Sequence, residues 1–243
     1  MLRLFGRAPA ADSALPTFGN PPRPLTVVRN ARARSMKLSV DPRDGVVRLV
    51  LPTRAALGHA LGWVETKRGW IERQLGKVTE GVPILAGGTI PWRGGDLLVD
   101  WTTDHPRMPR LVGDRLLVGG PAETLELRVL RWIRAEAKRL LEDETRAIAA
   151  RAGVTVATVS VGDARSRWGS CASNGNIRYS WRLLLAPDFV WKATVAHEVA
   201  HRVHMDHSRA FHALVASLFG ADPKPAREWL RRHGAALHGL GRS

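Results

Sequence analysis

The sequence predicts an α+β protein, with a small β-rich region followed by a mostly helical region that carries one hairpin. Three observations predict it. Short apolar runs broken by turn residues fill the first part of the chain, and a long stretch of helical apolar spacing begins after Gly119-Gly120-Pro121. Asn174-Gly175 then joins two strand-like runs just ahead of two further helical segments.

Residues 1–24 hold Pro9, Pro16, Pro21, Pro22 and Pro24 without a periodic apolar pattern, so a flexible leader is expected there, with order beginning near Leu25. Residues 25–28, 36–40 and 46–51 read as strands, the last two joined by Asp41-Pro42-Arg43-Asp44-Gly45. Leu57, Leu61, Val64, Trp70 and Ile71 then fall near helical spacing as far as Gly76. More strands are expected at residues 89–92 and 97–101, with turns at Gly87-Gly88 and Gly94-Gly95. Residues 25–118 are thus expected to form one β-rich domain and 119–243 a second. In the latter, Leu125, Val129, Ile133, Leu140, Leu141 and Ile148 mark one side of a long helix ending at Gly153. A strand at 155–161 and the hairpin follow, then helices from Pro187 to about His204 and from about Ser208 to Phe219.

The chain has 243 residues, 44% of them hydrophobic, which is enough to build a real core and excludes disordered, collagen-like and coiled-coil readings. Cys171 is the single cysteine, so an intramolecular disulfide and a cysteine-based zinc finger are excluded and a reducing compartment is expected. No run approaches the roughly 18 apolar residues of a membrane-spanning helix. The first residues also hold too few apolar side chains for a secretion signal, so a soluble, cytoplasmic protein with no membrane partner is expected. The net charge of +15, from 37 Lys+Arg against 22 Asp+Glu, favours nucleic acid or acidic partners. The excess is almost entirely arginine, however, which a GC-rich coding sequence also produces.

The chemistry sits in His197-Glu198-Val199-Ala200-His201, an HExxH pattern inside an apolar helical segment. Histidines at i and i+4 project from one helical face, so both imidazoles can reach one tetrahedral zinc ion at about 2.0 to 2.1 Å. Glu198 falls beside them, where a carboxylate can activate water as a general base. A third protein ligand is required, and the candidates are His204, Asp206, His207, His212 and Glu228. On a straight helix His204 lies about 10.5 Å beyond His197, too far along to converge on the same ion. His207 has the spacing of the third metzincin ligand and is preferred, provided the helix breaks before it. That pattern has glycine at the turning position, where this chain has His204, so residue type leaves the bend unexplained. Glu228, from a later helix, is the rival.

The run from Arg165 to Phe211 resembles the YgjP-like zinc metallopeptidases, relatives of the SprT-like proteases. The matching pieces are Ser166-Arg167-Trp168-Gly169-Ser170-Cys171, Trp181-Arg182-Leu183 before Ala186-Pro187, the HExxH motif, and His207-Ser208 before Phe211. A looser likeness extends across residues 25–236 and includes Arg34-Ser35-Met36 and Trp70-Ile71. The resemblance implies a zincin-like catalytic domain whose HExxH helix lies beside a short antiparallel sheet. It also implies His197, His201 and His207 as zinc ligands and Glu198 as general base. The family usually has Asn where Ser180 stands and Trp where His212 stands, and often Asn where Asp206 stands, a residue placed to orient a neighbouring histidine.

Zinc peptidases commonly hold substrate as an extended strand against a sheet edge, and residues 165–182 can supply one. Arg165, Arg167, Trp168 and Arg182 are therefore candidate substrate contacts. Arg178 adds to a basic cleft that suits an acidic peptide or a phosphate, although a solvated arginine face explains each of these residues equally well. Trp168 and Trp181 also read as packing residues, Cys171 as a small buried side chain or a redox-sensitive thiol, and Ser170 has no serine-hydrolase partners. Three functions follow: a zinc peptidase acting on peptide or unfolded protein, a metal-dependent hydrolase of nucleotides or other phosphate-bearing small molecules, and a nucleic-acid-associated protease.

Overall fold

The computed structural model of the chain describes residues 15–41, 44–78, 81–164 and 167–241, so Arg165 and most of the expected leader lie outside the described residues. Two compact units make up the chain, residues 1–77 and 78–243.

In the first unit β1 (Thr17–Phe18), β2 (Arg23–Arg29), β3 (Lys37–Val40) and β4 (Val47–Leu51) form a sheet in the order β1-β2-β4-β3. Residues 17–18 and 23–24, expected in the leader, belong to this sheet, with Thr17 paired to Pro24 and Phe18 to Arg23. Alternate residues Val47, Leu49 and Leu51 are buried together with Ala60, Val64 and Ile71 from the helical segment. That segment is two helices, α1 (Leu57–Glu65) and α2 (Arg68–Leu75). The first ends where the Thr66 hydroxyl donates to the Trp63 carbonyl at 2.7 Å.

The second unit opens with β5 (Thr89–Trp92), β6 (Gly95–Trp101), β7 (Arg110–Val112) and β8 (Arg115–Val118), ordered β5-β6-β8-β7. The expected boundary at 118 is thus replaced by one at 77. The inner residues Ile90, Leu97, Val99, Leu116 and Val118 share one core with the helices that follow, and strand periodicity cannot tell which core a strand joins. Next come α3 (Leu125–Ala152), closed as expected by left-handed Gly153, then β9 (Thr158–Gly162), β10 (Gly169–Cys171) and β11 (Asn176–Ser180). β10 and β11 form the expected antiparallel hairpin, and β9 joins β11 in parallel, so β10 is an outer strand of the order β10-β11-β9. Helices α4 (Asp188–Ala200), α5 (Arg209–Phe219) and α6 (Lys224–Leu237) complete the unit. α4 is buried on most of its circumference, packed against α3, α5, α6 and β10. Among the described residues no helix is long and apolar enough to cross a membrane.

Candidate metal centre

α4 is set in place at its first turn. Arg93, in the turn between β5 and β6, makes a two-pronged ion pair with Asp188 at 2.8 and 2.7 Å, and the Trp191 indole donates to the same carboxylate at 2.9 Å. Arg93 has φ +54°, a left-handed conformation disfavoured for any residue but glycine, and this pair with α4 is what the turn gains from it.

At its other end α4 stops at Ala200, four residues earlier than expected. The final turn tightens: Arg202 and Val203 donate to the Val199 and Ala200 carbonyls at 2.8 and 3.0 Å. The His201 Nδ1–H then donates to the His204 carbonyl at 3.0 Å. That bond leaves the His201 Nε2 lone pair free for a ligand. Arg93 is the only non-glycine residue of positive φ among the described residues, so His204 turns the chain without the left-handed conformation that would call for glycine.

Beyond the bend, Asp206 accepts from the Ser208 backbone N–H at 3.1 Å, and Ser208 caps α5 by accepting from the Phe211 N–H at 3.3 Å. Asp206 therefore holds the turn that carries His207 rather than bonding an imidazole. His197, His201 and His207 converge, their ligand atoms all within 4.8 Å of one another. The Nε2 atoms of His197 and His207 stand 3.4 Å apart. Two nitrogens sharing one tetrahedral zinc ion at 2.0 to 2.1 Å lie about 3.3 Å apart, so this spacing fits the ion. Burial, followed by the neighbouring histidines, pushes His197 down to about 4, and burial also lowers His201, which keeps both rings neutral and able to ligate at neutral pH.

Phe211, fully buried, forms the floor of the cluster, with its ring centroid 4.9 Å from His197, 4.5 Å from His201 and 4.8 Å from His207. The sequence marked this residue only as part of a motif. Glu198 is 5% exposed and lies against Gly169 of β10, where a Cβ would come within 2.6 Å of the Glu198 Cγ and nearer still to Oε1. Burial raises its carboxyl to about 7, opposed by the charge of Arg167. Such a group can both accept and return a proton near neutrality.

The remaining candidates separate. Exposed Arg167 lines the cleft with Glu198 and the three histidines. Arg182 does not face the cleft: it is 2% exposed, pairs with Asp163 at 2.8 Å and donates to the Leu237 and Leu240 carbonyls at 2.6 and 3.0 Å. It fastens the end of α6, which corrects its expected role as a substrate contact. Trp168 packs on α6, its ring 5.2 Å from His238 and tight against Gly234, with one side lining a cavity beside Glu198. Arg178 pairs in register with Ser170, so it stands on the sheet face opposite Gly169. Glu228 is exposed and 3.4 Å from Arg232, outside the histidine cluster. His212 is exposed at the rim of the cavity beside His197. Cys171 is half-buried in the cleft, and burial raises its thiol.

Comparison with known proteins agrees with this geometry. The model of the YgjP-like family, metallopeptidase domain, matches residues 34–233. No curated protein and no solved structure matches the chain. With a match over most of its length, the chain belongs to the YgjP-like metallopeptidase family and is a zinc metallopeptidase-like hydrolase.

Proposed function

We propose that the protein is a zinc peptidase that cuts polypeptide held in extended form along β10, with His197, His201 and His207 as the metal ligands. The observation that carries this reading is the edge of β10 beside Glu198, which no strand among the described residues pairs. The Trp168 carbonyl accepts from the Ser180 N–H at 2.8 Å, and the Ala172 N–H donates to the Asn176 carbonyl at 2.9 Å. By antiparallel alternation, Gly169 and Cys171 between them turn their N–H and C=O groups away from β11, toward the open edge. An extended peptide can pair with those groups whatever its side chains.

When bound, zinc lowers the pKa of water to about 7 and stabilises the oxyanion of acyl transfer. Glu198, fixed against Gly169, takes the proton from the attacking water and passes it to the leaving amine. A cavity of about 190 Å³ opens beside Glu198, lined by Trp168, Ala193, Val215, Ala226 and Leu230, and takes an apolar side chain of the substrate. Zinc-loaded protein is expected to cleave an unfolded polypeptide, and Glu198→Gln to reduce that cleavage by at least about 10³-fold while retaining zinc. Zinc-bound protein that cleaves no member of a broad peptide panel contradicts the reading.

A second reading, hydrolysis of a nucleotide or another phosphate-bearing small molecule, draws on Arg167 at the cleft and Arg227 at the cavity rim. Among the described residues neither guanidinium has an ion pair, so both are free to meet phosphate. Turnover of nucleoside triphosphates, lost in Glu198→Gln, with no peptide cleavage, selects it over the first.

A further inference from the structure

The positive charge of the chain is unevenly shared. Residues 1–77 contain 14 Lys and Arg against 5 Asp and Glu, which gives +9 of the total +15 in less than a third of the length. A groove of about 650 Å³ lies within this unit between β3, an outer strand of its sheet, and the helices α1 and α2. Leu38, Trp63, Lys67, Trp70 and Arg73 line it. Both indoles are half-buried, which leaves ring surface facing the groove. Trp63 stands on α1, Lys67 at the junction, and Trp70 and Arg73 on α2, and all four line the same groove, so rings and cations alternate in chain order around it.

The carboxylates of the two helices are engaged elsewhere. Glu65 pairs with Arg68 at 2.9 Å, and Glu72 accepts from the Gly19 N–H at 3.1 Å. Among the described residues the side chains of Lys67 and Arg73 have no hydrogen bond or ion pair. The groove therefore combines two accessible flat aromatic faces with two uncompensated cations.

We propose that this groove binds a short single strand of nucleic acid, with bases stacking on Trp63 and Trp70 and phosphates meeting Lys67 and Arg73. Stacking on an indole face is available to every base, and phosphate contacts need no base identity, so the binding is tolerant of sequence and sensitive to salt. An acidic peptide would use the cations but has no flat partner to place on both rings.

The test measures fluorescence anisotropy of a labelled oligodeoxythymidine about twenty nucleotides long against the full chain over a series of salt concentrations. Lys67→Glu with Arg73→Glu is expected to weaken binding at least about tenfold and to lower the slope of log affinity against log salt by about 1.4. Trp70→Leu, which keeps an apolar side chain and removes the stacking face, is expected to weaken it about fivefold or more with thermal melting little changed. Arg48→Glu with Arg54→Glu changes net charge equally outside the groove, since Arg48 pairs with Ser39 and so stands on the sheet face opposite Leu38. Equal loss in both double variants, with thermal melting unchanged, overturns the site in favour of diffuse charge. Displacement of the oligonucleotide by polyglutamate of matching charge as effectively as by unlabelled oligonucleotide also overturns it, in favour of an acidic peptide.

Discussion

Gly169 and Glu198 are in closer contact than any other residue at position 169 would permit: a methyl group on Gly169 would come within 2.6 Å of the Glu198 Cγ. The backbone of the outer strand thus forms the wall against which the proposed general base rests. Gly169→Ala must displace Glu198 or push the strand away. Since a misplacement of about 1 Å costs roughly 10²-fold in rate, kcat/KM is expected to fall by that order with zinc content unchanged. Wild-type kcat/KM in this variant would show that the contact does not position the carboxylate.

Phe211 is buried against all three imidazoles. Phe211→Ala opens a cavity under the cluster and is expected to cost about 3 to 5 kcal/mol of stability. Phe211→Leu keeps most of the volume but loses the flat face. Zinc affinity in that variant, read by chelator competition, is expected to fall about 10- to 100-fold, the scale of losses when groups supporting metal ligands are removed.

Arg182 and Arg167 make a contrasting pair. Arg182→Ala removes the donor to the Leu237 and Leu240 carbonyls and one partner of Asp163, so a loss of at least about 2 kcal/mol is expected in denaturant unfolding. Exposed Arg167→Ala is expected to leave the melting temperature within about 2 °C and to raise KM. Equal stability effects in the two variants would refute this assignment.

Asp188 connects pH to the seating of α4. The Arg93 hydrogen bond is the main reason its carboxyl lies below the usual carboxylate range, with smaller help from Trp191. Because the folded value is the lower one, the stabilisation is present above the unfolded value near 3.9 and disappears as pH falls through the folded value. The pair is more than a third exposed, so its contribution is about 1 kcal/mol or less. The melting-temperature gap between wild type and Asp188→Asn should therefore be small at pH 7 and shrink below about pH 4. A gap that stays constant down to pH 3 contradicts the assignment.

The sequence carried the histidine cluster openly, because ligation of one ion demands fixed residue types at fixed spacing, and Asn174-Gly175 marked the hairpin because few dipeptides make that turn. Other features were hidden for physical reasons. A buried arginine such as Arg182 has the same letter as a cleft arginine, and only the fold supplies its acceptors. The later helix that carries Glu228 had no readable bounds because Pro225, Gly234 and its many charges obscure the buried residues Ala226 and Leu237, although Asp222 and the flanking prolines are a start signal. The bend at His204 looked anomalous only because a left-handed residue was assumed where the chain turns without one. The supporting contacts of Gly169 and Phe211 depend on neighbours distant in sequence, which no local pattern reports.

The most direct measurement is zinc affinity by competition with a chromophoric chelator, made in parallel on wild type, His207→Ala and Glu198→Gln. One tightly held zinc per wild-type chain is expected, with severe weakening in His207→Ala and near-wild-type affinity in Glu198→Gln, whose carboxylate is proposed as base and not as ligand. Unchanged affinity in His207→Ala, or a loss in Glu198→Gln as large as that from removing a histidine, would contradict these roles.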